Sequence, residues 1–527
     1  VLRDAVERLP ATVGADAPEV SELASLVSAF GHLPARDETA PDKVAERARD
    51  AAIHKRRLAK LCARAPGVRE AVDAAVAALA DEPGRERLHA LLEAQAFRLA
   101  HWRVASDDIN YRRFFDINDL AALRMESEAV FEDAHRLVFR LLDEGRVQAL
   151  RIDHPDGLYD PGAYFERLQR RAGGPGWSLA GEAAGKPLYL LIEKILAEDE
   201  PMPPAWPVHG ETGYRFMNLV NGLFVDPAAQ GRFDRIYAAF TGAAADYDEI
   251  LYEAKKLIQA TSLSSEFTVL SNTLHRIARS DRRTRDFTLN SLRAALSEVV
   301  AAFPVYRTYI VPGRVTELDR QHVDLAVQTA KRRNRNLDAS LLDFVREVLL
   351  TRAADPVVAD APGAPPDAPQ LRAFVGRFQQ FTAPVTAKAM EDTSFYRFNR
   401  LVSLNEVGGD PRVFGLPPQA FHDAMLARAR DWPHSMSGTS THDTKRGEDL
   451  RVRIDVLSEM PARWRLMLRV WSRLNAAHKA VVDGVPAPSA NDEYLLYQTL
   501  LGAWPYGEVD AQALSALRER IQAYMLK

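Results

Sequence analysis

The chain has 527 residues, 47% of them hydrophobic and 27% charged, a composition that excludes a disordered protein and gives enough length for several packed units. Its formal net charge of −4, with acidic and basic residues interspersed, offers no broad field for nucleic acid or an anionic membrane surface. Cys62 is the single cysteine, so an internal disulfide framework and a cysteine-rich metal site are excluded, and a reducing cytoplasm is the expected location. No run of about 18 apolar residues and no basic-then-apolar leader occurs, so neither a membrane span nor a signal peptide is expected. The chain opens on Val1 rather than methionine, as a fragment or a processed chain does.

In chain order, residues 1 to about 105 read as helical. Val72, Val76 and Leu79 recur at helix spacing, Leu88, Leu91 and Leu92 do the same, and Pro83-Gly84 separates the two runs. Val130, Ala134, Leu137 and Leu141 then mark one face of a helix, with Gly145 at the C-cap position. A strand is expected from Val147 to Ile152, a helix opening on Pro161 and closing at Gly173 to Gly176, and a buried strand within Pro187 to Ile195. This is the pattern of a parallel crossover unit, and in a (β/α)₈ barrel the chemistry sits on loops that leave the C-terminal ends of strands. Phe303 to Val311 has the aromatic and β-branched make-up of a further strand, Leu341 to Leu350 reads as helix, and 354–369 as a Pro- and Ala-rich linker. Helical stretches at Leu495 to Leu501 and Ala513 to Met525 close the chain.

Charge gathers where the two strands should end. Arg151 and Asp153 leave the first and Glu193 and Lys194 the second, so adjacent parallel strands would set two carboxylates on one rim. Glycoside chemistry commonly uses such a pair, about 5 to 5.5 Å apart in retaining enzymes. The alternative from residues alone is that Asp153 caps a loop and Glu193 pairs with a nearby arginine. A third cluster, "SGTSTHDTKR" from Ser437 to Arg446, places His442 and Asp443 in a small polar segment where packing gives little reason for them. Lys194 and Lys445 are read as reaching sugar hydroxyls or, equally, as surface ion pairs. "KRRNR", Lys331 to Arg335, reads as a solvated helix face, Gly408-Gly409 lacks the phosphate-loop pattern, and the histidines lack metal-ligand spacing, so neither a metal nor a cofactor is expected.

"LRIDHPDGL", "LLIEKIL" and "STHDTKR" resemble, in this order, the second, third and fourth sequence regions of the α-amylase clan, and more narrowly those of the maltooligosyltrehalose synthase family. The narrower resemblance rests also on "INYRRFFDINDLAALR", "WPVHGETGYRFMNLVNGLFVD", "RRTRDFTLNSLRAAL", "FPVYRTYI", "AKAMEDTSFYRFNRLVSLNEVGGDP" and "EYLLYQTLLGAWP", and spans roughly residues 90 to 525. It implies an α/β fold: the (β/α)₈ barrel of the clan, incomplete at the N-terminus, with a large helical insertion. Residues 1–105 would be the helical insertion, 106–460 the catalytic barrel portion, and 461–527 the C-terminal helical part, with the family's first region and its downstream β domain absent. Ala149 and Ala389 stand where the family usually has glycine.

By the same resemblance Asp153 is the nucleophile, Glu193 the general acid/base and Asp443 the carboxylate that stabilises the oxocarbenium-like transition state. Arg151 keeps Asp153 ionised, and His154 and His442 contact sugar. The implied reaction converts the reducing-end α-1,4 bond of a maltooligosaccharide into an α,α-1,1 bond, in trehalose biosynthesis, alongside a maltooligosyltrehalose trehalohydrolase. Two other readings stay open: a different α-glucan hydrolase or transferase of the clan, and an inactive fragment that only binds glucan.

Overall fold

The computed structural model describes residues 1–172, 186–197, 200–242, 246–311, 313–350 and 368–526. Two compact units divide it, Val1–His101 and Trp102–Lys527. The first is helical: helices Leu2–Val13, Pro18–Gly31, Pro41–Arg64 and Pro66–Ala77 bury Ala5, Leu9, Leu23, Leu26, Leu61 and Val68 against one another. The helix Glu82–Glu93 follows, but its Leu91 is exposed, so the expected apolar face there is only partly used.

In the second unit a hairpin of β1 (Arg113–Phe114) and β2 (Ile117–Ala121) precedes the helix Glu128–Asp143. Gly145, at φ 66°, stops that helix as expected, and its amide donates to the Leu142 carbonyl. β3 (Ala149–Ile152), the helix Pro161–Ala172 and β4 (Tyr189–Ile192) then form the crossover unit, and β5 (Gly210–Glu211) extends a parallel sheet of order β3-β4-β5. β3 and β4 are both shorter than the apolar runs that announce them. The helices Glu128–Asp143 and Pro161–Ala172 cover the sheet through Phe131, Phe139, Phe165, Leu168, Leu190 and Ile192.

Among the described residues, six helices from Tyr247–Ala260 to Ala368–Ala389 build one extensive core, and another core joins the helices Gln230–Thr241, Glu448–Asp455, Pro461–Asn475 and Ala490–Ala503. The expected helices at 341–350, 495–501 and 513–525 lie within Ala339–Leu350, Ala490–Ala503 and Ala511–Leu526. Gly173 to Gly176 and most of the 354–369 linker fall outside the described residues. No helix among the described residues is long and apolar enough to cross a membrane.

Of the expected barrel, incomplete at its N-terminus, the described residues show three strands in one parallel sheet. One other expectation needs correction. Phe303 to Val311 is not a strand: its backbone is satisfied by side chains. The Tyr309 amide donates to Asp319 Oδ1 at 3.1 Å, and the Ile310 amide and carbonyl pair with the Gln379 side chain at 2.6 and 2.9 Å. Its aromatic and β-branched composition reflects burial of Phe303, Val305, Tyr306 and Ile310, not pairing with a neighbour.

Candidate active site

The register of β3 and β4 pairs Arg151 with Leu191 and Ile152 with Ile192, so the next residue of each strand, Asp153 and Glu193, leaves the sheet at the same edge. One guanidinium bridges them. Arg151 Nη1 donates to Asp153 Oδ1, and its Nη2 lies 3.9 Å from Glu193 Oε2. His154, at φ 42°, turns the chain sharply and donates its amide to Glu193 Oε2 at 2.8 Å. The Asp153 side chain is 54% exposed and that of Glu193 only 15%, so adjacent carboxylates meet different solvents. Burial pushes the Glu193 carboxyl above its ordinary value, the His154 amide and Arg151 pull it back, and the charges of Asp153 and Asp443 reinforce the rise.

Asp443 arrives from elsewhere in the chain. The Met436 amide donates to the Glu211 carbonyl at the end of β5, which brings the loop 435–446 to the same edge of the sheet. The buried Glu406 carboxylate accepts the amides of Lys445 and Arg446 at 2.6 and 3.0 Å. The Glu211 side chain caps the helix Tyr214–Leu223 through the amides of Gly213 and Tyr214. Gly213 has φ 104°, and a Cβ there would stand 2.8 Å from the Gly438 nitrogen, so this close approach needs glycine. The cap aims Tyr214 inward: its hydroxyl lies 3.5 Å from Glu193 Oε1, 3.3 Å from Asp443 Oδ2 and 3.1 Å from Thr441 Oγ1. His442 Nε2 sits 3.0 Å from Asp443 Oδ2 on the exposed side.

Asp153, His154, Glu193, His442 and Asp443 line one cavity of about 390 Å³. Arg151 stands at its edge through its two carboxylate contacts. The opposite wall was not singled out from sequence. It is a π-helical turn, Met390–Ser394, at the end of the helix Ala368–Ala389, and it presents Glu391 and Asp392 beside Lys388 and Lys445. π-Helical turns are frequent at functional sites because one extra residue re-aims the side chains that follow. Burial pushes the Glu391 carboxyl up to about 7, against the Tyr306 hydroxyl that donates to it at 2.6 Å. Against burial, Lys445 and Lys388 hold Asp392 below its ordinary range. Sequence spacing carried no sign of this wall, since only the folded helix turns it toward β3 and β4.

Lys194 is not at the surface, contrary to the sequence reading. Its side chain is fully buried between Asp156 at 3.5 Å and Glu200 at 3.0 Å, and these carboxylates hold the ammonium above its ordinary range despite burial. It therefore sits beneath the cavity and not in it. A larger cavity, about 620 Å³ and lined by Asp248, Lys255 and Arg412 among others, contains none of the three acids.

No protein-family model matches the chain. A Mycobacterium tuberculosis H37Rv protein named as a maltooligosyl trehalose synthase is 36% identical over 442 residues, which is 83% of this chain and 49% of that protein. The structure of maltooligosyltrehalose synthase from Arthrobacter ramosus matches with a TM-score of 0.67 at 36% identity, over 83% of this chain and 49% of that one. A maltooligosyl trehalose synthase structure from Sulfolobus tokodaii matches with a TM-score of 0.62 at 30% identity, over 84% and 50%. The chain thus spans about half the length of the relatives it matches.

Proposed function

The chain is a homologue of the maltooligosyltrehalose synthases over 442 residues, and from that premise we propose that the protein is an intramolecular glucosyltransferase that turns the reducing-end α-1,4 bond of a maltooligosaccharide into an α,α-1,1 bond. The observation that carries this reading is the convergence of Asp153, Glu193 and Asp443 on one cavity. In the proposed cycle Asp153 attacks the anomeric carbon of the penultimate glucose while Glu193 protonates the departing oxygen. The exposed, arginine-paired Asp153 suits a nucleophile, and the buried Glu193 suits a carboxyl that must hold a proton. Asp443, beside the Tyr214 hydroxyl, stabilises positive charge developing on the sugar ring, and His154 and His442 contact sugar.

The released glucose then turns within the cavity. Glu193, now a carboxylate, takes the proton of its anomeric hydroxyl as that oxygen attacks the glycosyl ester, and Asp153 leaves as a free carboxylate. Two inversions retain the α configuration. Mutase activity depends on holding the released ring at high effective concentration away from water. The polar wall of Lys388, Glu391, Asp392 and Lys445 supplies hydroxyl partners on the side facing the strands.

On this reading β3, β4 and β5 are part of a (β/α)₈ barrel, residues 1–105 are a helical insertion, 106–460 the catalytic portion and 461–527 its C-terminal helical part. The protein works in the cytoplasm, and a maltooligosyltrehalose trehalohydrolase consumes its product. The test is incubation of the full-length protein with maltopentaose. Reducing ends should disappear without release of glucose, and Asp153→Asn should abolish this while leaving the thermal midpoint in place. Glucose release in proportion to bond cleavage would make it a hydrolase instead.

A further inference from the structure

We propose that the cavity of about 620 Å³ is a binding site for a small organic monocarboxylate, with Lys255 taking the carboxylate and the apolar walls taking its body. This site lies outside the reaction proposed above and does not depend on it. The cavity is enclosed by the helices Tyr214–Leu223, Tyr247–Ala260 and Glu317–Arg333, the segment 301–306 and the loop 408–416. Its volume falls within the roughly 300–1,000 Å³ of small-molecule sites.

Two buried lysines differ in how their charge is met. Lys194, 1% exposed, sits between Asp156 and Glu200. Lys255 lies in the wall of the cavity, 3% exposed, and an ammonium offers three N–H donors. It has one acceptor, the Phe303 carbonyl at 2.7 Å, and no ion-pair partner among the described residues. The acids that share the wall are already engaged: Arg412 holds Asp410 and Asp248, each at 2.9 Å. A buried cation without a counter-charge is unfavourable, so it either gives up its proton or is met by an anion from outside. Burial and the charge of Arg412 pull Lys255 down to about 7, so at neutral pH the free site stands between these two states.

One uncompensated charge calls for a monoanion. Arg333 pairs with Glu249 and lies over the Tyr252 ring at 3.9 Å, and Arg215 donates to the Glu200 carbonyl at 3.1 Å, so these cations have partners of their own. A phosphate dianion would bring more charge than Lys255 neutralises. A carboxylate brings one charge and accepts the two N–H groups that the Phe303 carbonyl leaves over. Leu219, Leu251, Leu325, Val413 and Leu416 in the same wall suit a hydrocarbon body.

The test is calorimetric titration of the full-length protein with sodium octanoate. At pH 6 octanoate should bind about tenfold more tightly than 1-octanol, which has the same body and no charge. Inorganic phosphate at millimolar concentration should not displace it. Between pH 6 and pH 8 its Kd should rise about tenfold, as the ammonium that receives it becomes scarce. Arg215, Asp248, Arg333, Asp410 and Arg412 are the other charged groups of the wall, and Glu391 lies beyond Tyr306, so Lys255→Met isolates the lysine's proton from theirs. In that protein octanoate and octanol should bind alike and the pH dependence should vanish. Leu325, 46% exposed, also lines the cavity, so Leu325→Trp narrows it at little risk to the fold and should weaken both ligands about tenfold. Equal affinity for octanoate and octanol in the unsubstituted protein, displacement by phosphate, or an unchanged octanoate Kd in either variant would overturn the proposal and leave Lys255 a neutral buried amine.

Discussion

The loop after β3, which carries Asp153, and the loop 435–446, which carries Asp443, are both stapled by a buried arginine, but only the second arginine meets a buried carboxylate. Arg307 Nη1 donates to the Asp156 and Leu158 carbonyls at 2.7 and 2.6 Å, and Nη2 to the Tyr159 carbonyl at 3.4 Å. Arg451 donates to the Thr439 and Arg446 carbonyls and also lies 3.5 Å from Glu406, the acid that accepts the loop's own amides. Irregular backbone in an interior must have its polar groups satisfied, and the two loops meet that demand with different charge balances. The first staple works chiefly through carbonyl dipoles, with Asp156, Asp160 and Asp319 adding negative charge at longer range. The second is an ion pair wrapped around a loop, and it should fail harder and be more repairable.

The largest effect is therefore expected from Arg451→Leu, which leaves the buried Glu406 without its arginine. Loss of one partner of a buried pair costs about 3–5 kcal/mol. Adding Glu406→Gln should recover a good part of this, and a double-mutant cycle by denaturant unfolding of the full-length protein measures the coupling. Strict additivity would show that the pair is no unit. Arg307→Lys comes next. A single ammonium cannot replace a planar fork that reaches three carbonyls, so about 2 kcal/mol of stability is lost. Activity should fall with it, because His154, Asp156 and Gly157 belong to the same turn, and Glu406→Gln should not rescue it.

The placement of Asp153 and Glu193 at strand ends was legible because alternating apolar runs broke into charge at the same point of two consecutive strands. Asp443 was legible only through family resemblance, since its loop carries no pattern that packing explains. Arg307 and Glu406 were both inside quoted blocks and yet received no role. A buried charge declares itself only through partners distant in sequence: Arg307 binds carbonyls about 150 positions away, and Glu406 accepts amides about 40 positions away. The Phe303 to Val311 segment misled for the same reason, as its β-like composition is what a buried segment needs whether or not a strand lies beside it. Lys194 was misread because lysine is usually exposed, and nothing local announces Asp156 and Glu200 as a cage.

The helix that follows the second loop holds another buried acid that sharpens the comparison. Asp455, at the end of the helix Glu448–Asp455 that bears Arg451, is fully buried, and burial pushes its carboxyl up to about 7. Its folded pKa thus lies above the unfolded one, so its contribution to stability is complete below the ordinary carboxylate range. That contribution is lost progressively as pH rises from the ordinary carboxylate range through about 7. The gain of Asp455→Asn over the parent should be about 2–3 kcal/mol larger at pH 8 than at pH 5, read from paired unfolding curves. A pH-independent difference would place the charge elsewhere.

The smallest effect expected is at the Tyr214 hydroxyl, where the second loop meets the end of β4. It lies within 3.5 Å of both Glu193 and Asp443, one delivered by the sheet and the other by the stapled loop. Tyr214→Phe keeps the buried ring and removes only this link, so stability should change by no more than about 1 kcal/mol. Turnover should fall about tenfold with KM unchanged, the signature of an interaction made chiefly in the transition state. The alkaline limb of kcat/KM provides an internal control. On the proposed roles it belongs to Glu193, which must be protonated to act as acid, and burial sets that carboxyl above the ordinary range. That limb should stay in place in Tyr214→Phe, because burial and not the hydroxyl raises the carboxyl. A limb that moved together with kcat would mean that Tyr214 acts by tuning Glu193, and that the second loop is joined to the end of β4 through a proton and not through geometry.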